Sequence, residues 1–354
     1  MSYLLRRIAT VVIRFIVSRS CEEDMTTCTP SSERLQAPLP GNPHILDIDG
    51  MIPLPDGFRL DSGETVGKAI RARLVGSGDK PVVLVLGGIS ANRHVCDASA
   101  SQTPQSGWWR EAVGPGGILD TQKVRILSFD FLPGDEDGEV TITPRDQARL
   151  AQLVCDYFRI ERVQAFIGYS YGGMVALHFG ALFPERVERL IVTSASHRPH
   201  PMGTAWRSIQ RKIVRFGLET SQPERALSLA RELGMTTYRT AWEFGERFSS
   251  NQSGVEEYLT ARGEAFIGKM SPQRYLSLSQ SIDLHQVAPE AIRVPITLVG
   301  FRQDQLVLLE EMRQLCQKLP RVQGYYEFDS IYGHDAFLKE IPLLSPILKE
   351  ALYQ

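Results

Sequence analysis

Short apolar runs recur along the chain in a spacing that alternates with amphipathic stretches. Residues 81–86, 124–130, 163–167, 189–193 and 295–299 are five to seven residues long and rich in Val, Ile and Leu. Continuous apolarity over so short a length is the signature of strands buried on both faces of a parallel sheet. Between the second and third runs, residues 143–158 carry Leu150, Leu153, Val154, Tyr157 and Phe158 on one helical face, with Thr143 as the expected N-cap and Pro144 at the first helical position. Strands alternating with helices predict an α/β fold with a mostly parallel sheet and helices on both faces.

The alternation stops near His197 and resumes near Val294. In between, residues 206–216, 224–233, 238–247, 255–267 and 272–282 have helical periodicity and no strand pattern. The expected organisation is therefore an N-terminal extension, partly disordered, over residues 1–49, a first core segment over 50–196, a helical lid over 197–285 and a second core segment over 286–354. An insertion placed between strands of a sheet domain suits a lid that shapes a pocket and excludes water. The competing assignment is a helical subdomain with structural work only.

Composition narrows the function classes. The 354 residues are 43% hydrophobic and 23% charged, with 39 Lys plus Arg against 41 Asp plus Glu. That balance gives no global attraction to nucleic acid or an anionic membrane, so an anionic ligand must be held by a few placed cations. The five cysteines are scattered, with no CxxC pair and no Cys/His cluster at metal-ligand spacing, so no metal is expected and a reducing, cytoplasmic setting fits. Residues 1–20 look weakly like a leader. Arg14 splits their apolar stretch, which is far short of the ~20 residues of a membrane span, and no small-x-small cleavage site follows. Met25 is the alternative start.

The chemistry concentrates at Gly168-Tyr-Ser-Tyr-Gly-Gly-Met174, where a strand runs into a sharp turn and a helix follows. G-x-S-x-G in that context lifts the Ser170 hydroxyl to the top of the sheet as a nucleophile. A serine hydroxyl needs a base, and the base needs a partner that fixes its tautomer. His334, in a loop ahead of the C-terminal helix, is the expected base, whereas His285 reads as a surface or packing residue. Asp304, directly after the strand at 295–299, is the expected acid, with Asp329 as its rival. The oxyanion of an attacked carbonyl needs two backbone donors. Tyr171 N–H and, from the Gly87-Gly-Ile-Ser-Ala91 loop, Ile89 N–H are the candidates. Phosphate cradling by that loop is disfavoured, because neither G-x-x-x-x-G-K nor G-x-G-x-x-G is present.

Beyond these motifs, Phe183-Pro-Glu-Arg-Val187, Ile209-Gln-Arg-Lys-Ile213, Ala226-Leu-Ser-Leu-Ala-Arg-Glu-Leu-Gly234, Glu257-Tyr-Leu-Thr-Ala-Arg-Gly263, residues 275–284 and Gly333-His-Asp-Ala-Phe337 resemble the homoserine O-acyltransferases of the α/β-hydrolase superfamily. The resemblance covers roughly residues 80–345 and includes the lid. It implies transfer of an acyl group from acyl-CoA to the hydroxyl of L-homoserine, in methionine biosynthesis, by a ping-pong mechanism through an acyl-serine. It also implies a homodimer, with no cofactor beyond the CoA co-substrate and no nucleic-acid or membrane partner. Carried onto matching positions, Ser170, Asp304 and His334 form the triad, while Arg231 and Asp335 bind the amino acid. A guanidinium for its carboxylate and a carboxylate for its ammonium are what a zwitterionic acceptor requires.

Two departures bear on the acyl group. The family's oxyanion loop usually resembles His-Ala-Leu-Thr-Gly, and Met usually follows the nucleophile, where this chain has Tyr171. Tyr171, Asn92, Arg93 and His94 are thereby candidates to line the acyl or CoA channel. Arg93 is the candidate for a succinyl carboxylate, with CoA phosphates or solvent as its other options. The expected donor is acetyl-CoA ahead of succinyl-CoA, with serine as an alternative acceptor. A serine esterase with the same triad is the alternative of another class.

Overall fold

A computed structural model describes residues 45–54, 56–97 and 106–354. The extension that the leader reading concerns, residues 1–24, lies outside the described residues. The strands are β1 (Ile45–Pro53), β2 (Phe58–Arg59), β3 (Thr65–Val66), β4 (Ala69–Ser77), β5 (Val82–Leu86), β6 (Arg125–Phe129), β7 (Ala165–Tyr169), β8 (Leu190–Thr193), β9 (Ile296–Phe301) and β10 (Val322–Phe328). Eight of them form one sheet in the order β1-β4-β6-β5-β7-β8-β9-β10. The pairs from β6 to β10 are parallel, and β4 joins antiparallel to both β6 and β1. Strand β1 begins at Ile45, so the expected boundary at residue 49 falls inside the sheet and the core starts earlier than the sequence reading placed it.

Alternation along the central strands loads both faces of the sheet. On β5, Val82, Leu84 and Leu86 join one apolar cluster, and Val83 and Val85 join the other. The first face is covered by α1 (Pro144–Tyr157) and α2 (Tyr171–Leu182), through residues such as Leu150, Val154 and Val175. The second is covered by α10 (Ile341–Tyr353), through Leu344, Leu348 and Leu352, together with Trp109 and Ile118. Helix α1 starts as its sequence predicts. Thr143 accepts from Asp146 N–H, the Asp146 carboxylate accepts from Thr143 N–H at 3.0 Å, and Pro144 follows the cap.

The insertion folds as α3 (Pro201–Glu219), α4 (Pro223–Tyr238), α5 (Ala241–Phe248), α6 (Gly254–Glu264) and α7 (Pro272–Asp283). Helix α7 ties it to the core. Arg274 Nε and Nη2 donate to the carbonyls of Pro133 and Phe131 at 2.8 and 3.0 Å, and Val140 N–H donates to Ser277 Oγ at 2.9 Å. Past β9 come α8 (Leu309–Lys318), β10 and the short α9 (Ala336–Lys339). No helix among the described residues is long and apolar enough to cross a membrane.

Candidate active site

Strand β7 ends at Tyr169 and α2 begins at Tyr171, leaving Ser170 as the single residue of the turn, with φ 50° and ψ −116°. A side chain held at positive φ is strained, and the surroundings enforce it. Ser170 N–H donates to Thr193 carbonyl at 3.0 Å, and Gly172 N–H donates to Gly87 carbonyl at 2.8 Å. The turn is tight enough to require glycine on either side. A Cβ at Gly168 would stand 2.4 Å from Gly172 carbonyl oxygen, and one at Gly172 would stand 2.2 Å from Leu86 carbonyl oxygen.

The three residues expected to form the triad meet above this turn. His334 Nε2 is 2.8 Å from Ser170 Oγ, and His334 Nδ1 is 2.8 Å from Asp304 Oδ2. The other Asp304 oxygen accepts from Leu306 and Val307 N–H at 2.9 and 3.0 Å, which fixes a carboxylate that is 1% exposed. Burial alone would lower the His334 pKa. The charge and hydrogen bond of Asp304, with a contribution from Asp335, outweigh it and raise the imidazole above its ordinary value. The rival acid Asp329 points outward, 62% exposed, and pairs with Arg302 at 3.1 Å. His285 is a packing residue. It is buried, its Nε2–H donates to Ser196 carbonyl at 2.8 Å, and its ring lies 5.1 Å from that of His178.

The cleft over Ser170 encloses about 1330 Å³ with its open mouth included, between the strand ends and the lid. Ile89 lines it, and the Gly172 N–H to Gly87 carbonyl bond ties that loop to the turn carrying Ser170. Tyr171 opens α2, so its N–H has no acceptor one turn back within the helix. Arg231 reaches the cleft from α4, its guanidinium 5.1 Å from the Tyr238 ring and 5.0 Å from the Phe266 ring. Asp335 lines the cleft beside His334 and is held by Arg239 at 3.1 Å.

The four residues expected along the acyl or CoA channel are elsewhere. The Tyr171 side chain is fully buried, 4.9 Å ring to ring from Phe131 and 2.7 Å from Ser281 Oγ on α7, so it fastens the lid to the core. Arg93 is spent on two carboxylates, with Nε 2.5 Å from Asp49 and Nη1 2.9 Å from Asp130. Asn92 Oδ1 accepts from His94 N–H, and buried His94 accepts at Nδ1 from Arg73. None of the four lines the cleft. Two residues that do, Arg207 and Tyr238, were not singled out in the sequence. Tyr238 stands seven residues beyond Arg231 on the same helix, a spacing of two turns that aligns their side chains.

A mostly parallel sheet, a strained serine between strand and helix, and a histidine and acid on the loops after later strands define the α/β-hydrolase class, and the α/β hydrolase fold family profile matches residues 81–341. A homoserine O-succinyltransferase from Xanthomonas campestris pv. campestris is 39% identical over 291 residues, covering 80% of this chain and 78% of its own. The chain belongs to the homoserine O-acyltransferase family within that class. A homoserine O-acetyltransferase from Symbiobacterium thermophilum is 29% identical over 354 residues, covering 83% of this chain and 91% of its own. Among solved structures, a homoserine O-acetyltransferase from Bacillus anthracis superposes with a TM-score of 0.76 at 18% identity, covering 88% of this chain and 98% of its own. Esterase E22 superposes equally well, at 0.76 and 16% identity, covering 87% and 100%, so the shared shape speaks for the fold alone.

Proposed function

We propose that this chain moves an acyl group from acyl-CoA to the side-chain hydroxyl of L-homoserine through an acyl-Ser170 intermediate. In the first half, His334 Nε2 takes the Ser170 proton as Oγ attacks the thioester carbonyl. The oxyanion forms toward Tyr171 and Ile89 N–H, and its collapse breaks the C–S bond while His334 returns the proton to the departing CoA sulfur. In the second half, the acceptor hydroxyl gives its proton to His334 and attacks the acyl-serine, and Ser170 leaves with that proton. Asp304 holds Nδ1–H throughout, so Nε2 is the nitrogen that exchanges protons.

The observation that carries this reading, ahead of a plain esterase, is that Arg231 and Asp335 both line the cleft that holds Ser170 and His334. Arg231 takes the acceptor carboxylate and Asp335 its ammonium, which sets the hydroxyl beside the catalytic base. Sequence patterns alone favoured an acetyl donor. The 39% identity to a succinyltransferase, against 29% to the acetyltransferase, supports succinyl-CoA as a donor as well.

The test offers acetyl-CoA or succinyl-CoA with homoserine or serine, and identifies the product by mass. Acceptor-dependent CoA release with O-acylhomoserine formed supports the reading. Hydrolysis at one rate with or without homoserine makes the protein an esterase.

A further inference from the structure

We propose that Arg207 binds the free carboxylate of a dicarboxylic acyl group while that group is joined to Ser170, so that the fitting donor is a succinyl-type thioester. The inference rests on the acyltransferase reading above and adds to it the residue that selects the donor.

Three arginines line the cleft: Arg198, Arg207 and Arg231. The Arg198 side chain is 52% exposed and pairs with Glu311 at 3.2 Å, which places it at the solvent side. Arg231 packs against Tyr238 and Phe266 and is taken up by the acceptor. Arg207 differs from both. It is buried, at 9% exposure, and its Nε and Nη2 lie 2.8 and 2.6 Å from Asp283 Oδ1. The same carboxylate has Arg211 Nη1 2.7 Å from its other oxygen. Two guanidiniums therefore share one carboxylate in a region where none of the three side chains is more than 16% exposed.

That arrangement is one negative charge short. A buried positive charge that shares its only counterion is incompletely neutralised, and an anion brought by a ligand offsets it. Arg207 Nη1 makes no hydrogen bond to any described residue, so the guanidinium has a donor to give. Its charge is also felt at His334, which it acts to lower, so the surplus lies within electrostatic reach of the reacting centre. An acetyl group offers nothing to this charge, whereas the terminal carboxylate of a four-carbon dicarboxylic acyl group completes it. Arg93, the cation that sequence alone suggested for this task, is already neutralised by Asp49 and Asp130.

The experiment compares succinyl-CoA with butyryl-CoA, which has the same chain length and no terminal charge, and with acetyl-CoA, all with homoserine as acceptor. In the native protein, kcat/KM for succinyl-CoA is expected to exceed that for butyryl-CoA by about 30-fold or more. Arg207→Met is expected to collapse that ratio to within about threefold, and Arg207→Lys to recover part of it. Butyryl-CoA or acetyl-CoA used as well as succinyl-CoA by the native protein overturns the assignment even if the variants fail to fold. An Arg207→Met protein that keeps the native ratio overturns it as well. Acetyl transfer without succinyl transfer sinks this inference and leaves the acyltransferase reading standing. No transfer from any thioester, with p-nitrophenyl acetate still hydrolysed, removes both.

Discussion

Arg239 Nη2 lies 3.1 Å from Asp335 Oδ2, so the carboxylate assigned to the acceptor ammonium is itself held by a buried guanidinium. On the proposed reading, that pair leaves the other Asp335 oxygen for the acceptor ammonium. Arg239→Met is expected to raise the KM for homoserine roughly tenfold or more, with a smaller change in the burst of CoA release that reports acylation of Ser170. Equal losses in both half-reactions would mean that Arg239 serves folding and not acceptor placement.

Arg231→Ala is expected to raise the acceptor KM by roughly tenfold to a hundredfold, the range for a charge-assisted hydrogen bond. Steady-state kinetics with homoserine varied at saturating acyl-CoA is the check. A normal acceptor KM would remove Arg231 from the acceptor site.

The pH dependence follows from the sign of the His334 shift. Asp304 raises the imidazole pKa above its usual 6.5, and only the neutral ring accepts the Ser170 proton. Activity is therefore lost as pH falls through a value above 6.5. Asp304→Asn removes the raising charge, so its residual activity, lower by about ten-thousandfold, should show that acid limb displaced to lower pH. A pH–rate profile of kcat/KM for the donor, in which the limb stayed in place, would contradict the Asp304–His334 coupling.

Stability has an acid limb of different origin. Burial pushes His178 down to about 4 and His285 down to about 3, so both stay neutral in the folded protein while the unfolded chain takes up protons below about 6.5. Stability should fall as pH drops below that value and keep falling toward the depressed pKa values. Thermal unfolding across pH 4 to 7 should show a shallower slope for His285→Asn than for the native chain.

Much of this was legible in the sequence because the relevant signals are local. Strands β5 to β9 are buried on both faces, so they appear as short, predominantly apolar runs, and the turn at Ser170 spans only a few residues. Strands β1 and β4 were missed for the opposite reason. Strand β4 carries Arg71 and Arg73 among its apolar residues, and buried Arg73 is satisfied by Asp47, 26 residues earlier and 2.7 Å away, and by the carbonyls of Cys96 and Asp97. Arg93 was misassigned in the same way, since its partners Asp49 and Asp130 lie 44 and 37 positions away. The surplus charge at Arg207 depends on Asp283 at the far end of the lid, 76 positions on, and no local pattern announces it.

The glycines around Ser170 give a structural check that is independent of substrate. Gly172→Ala forces a Cβ to 2.2 Å from Leu86 carbonyl oxygen, which requires backbone movement and is expected to destabilise the fold by about 3 kcal/mol. Chemical denaturation is the measurement. A Gly172→Ala protein with native stability and native activity would show that the turn is looser than described.

The central claim is that Ser170 carries the acyl group between donor and acceptor, and intact-protein mass spectrometry reads it directly. Mixed with acyl-CoA alone, the native chain should gain the mass of one acyl group, located on Ser170 by peptide mapping, and should lose it on addition of homoserine with O-acylhomoserine appearing in step. Ser170→Ala should gain nothing. An acyl group found on another residue, or one on Ser170 that homoserine does not remove, would contradict the account.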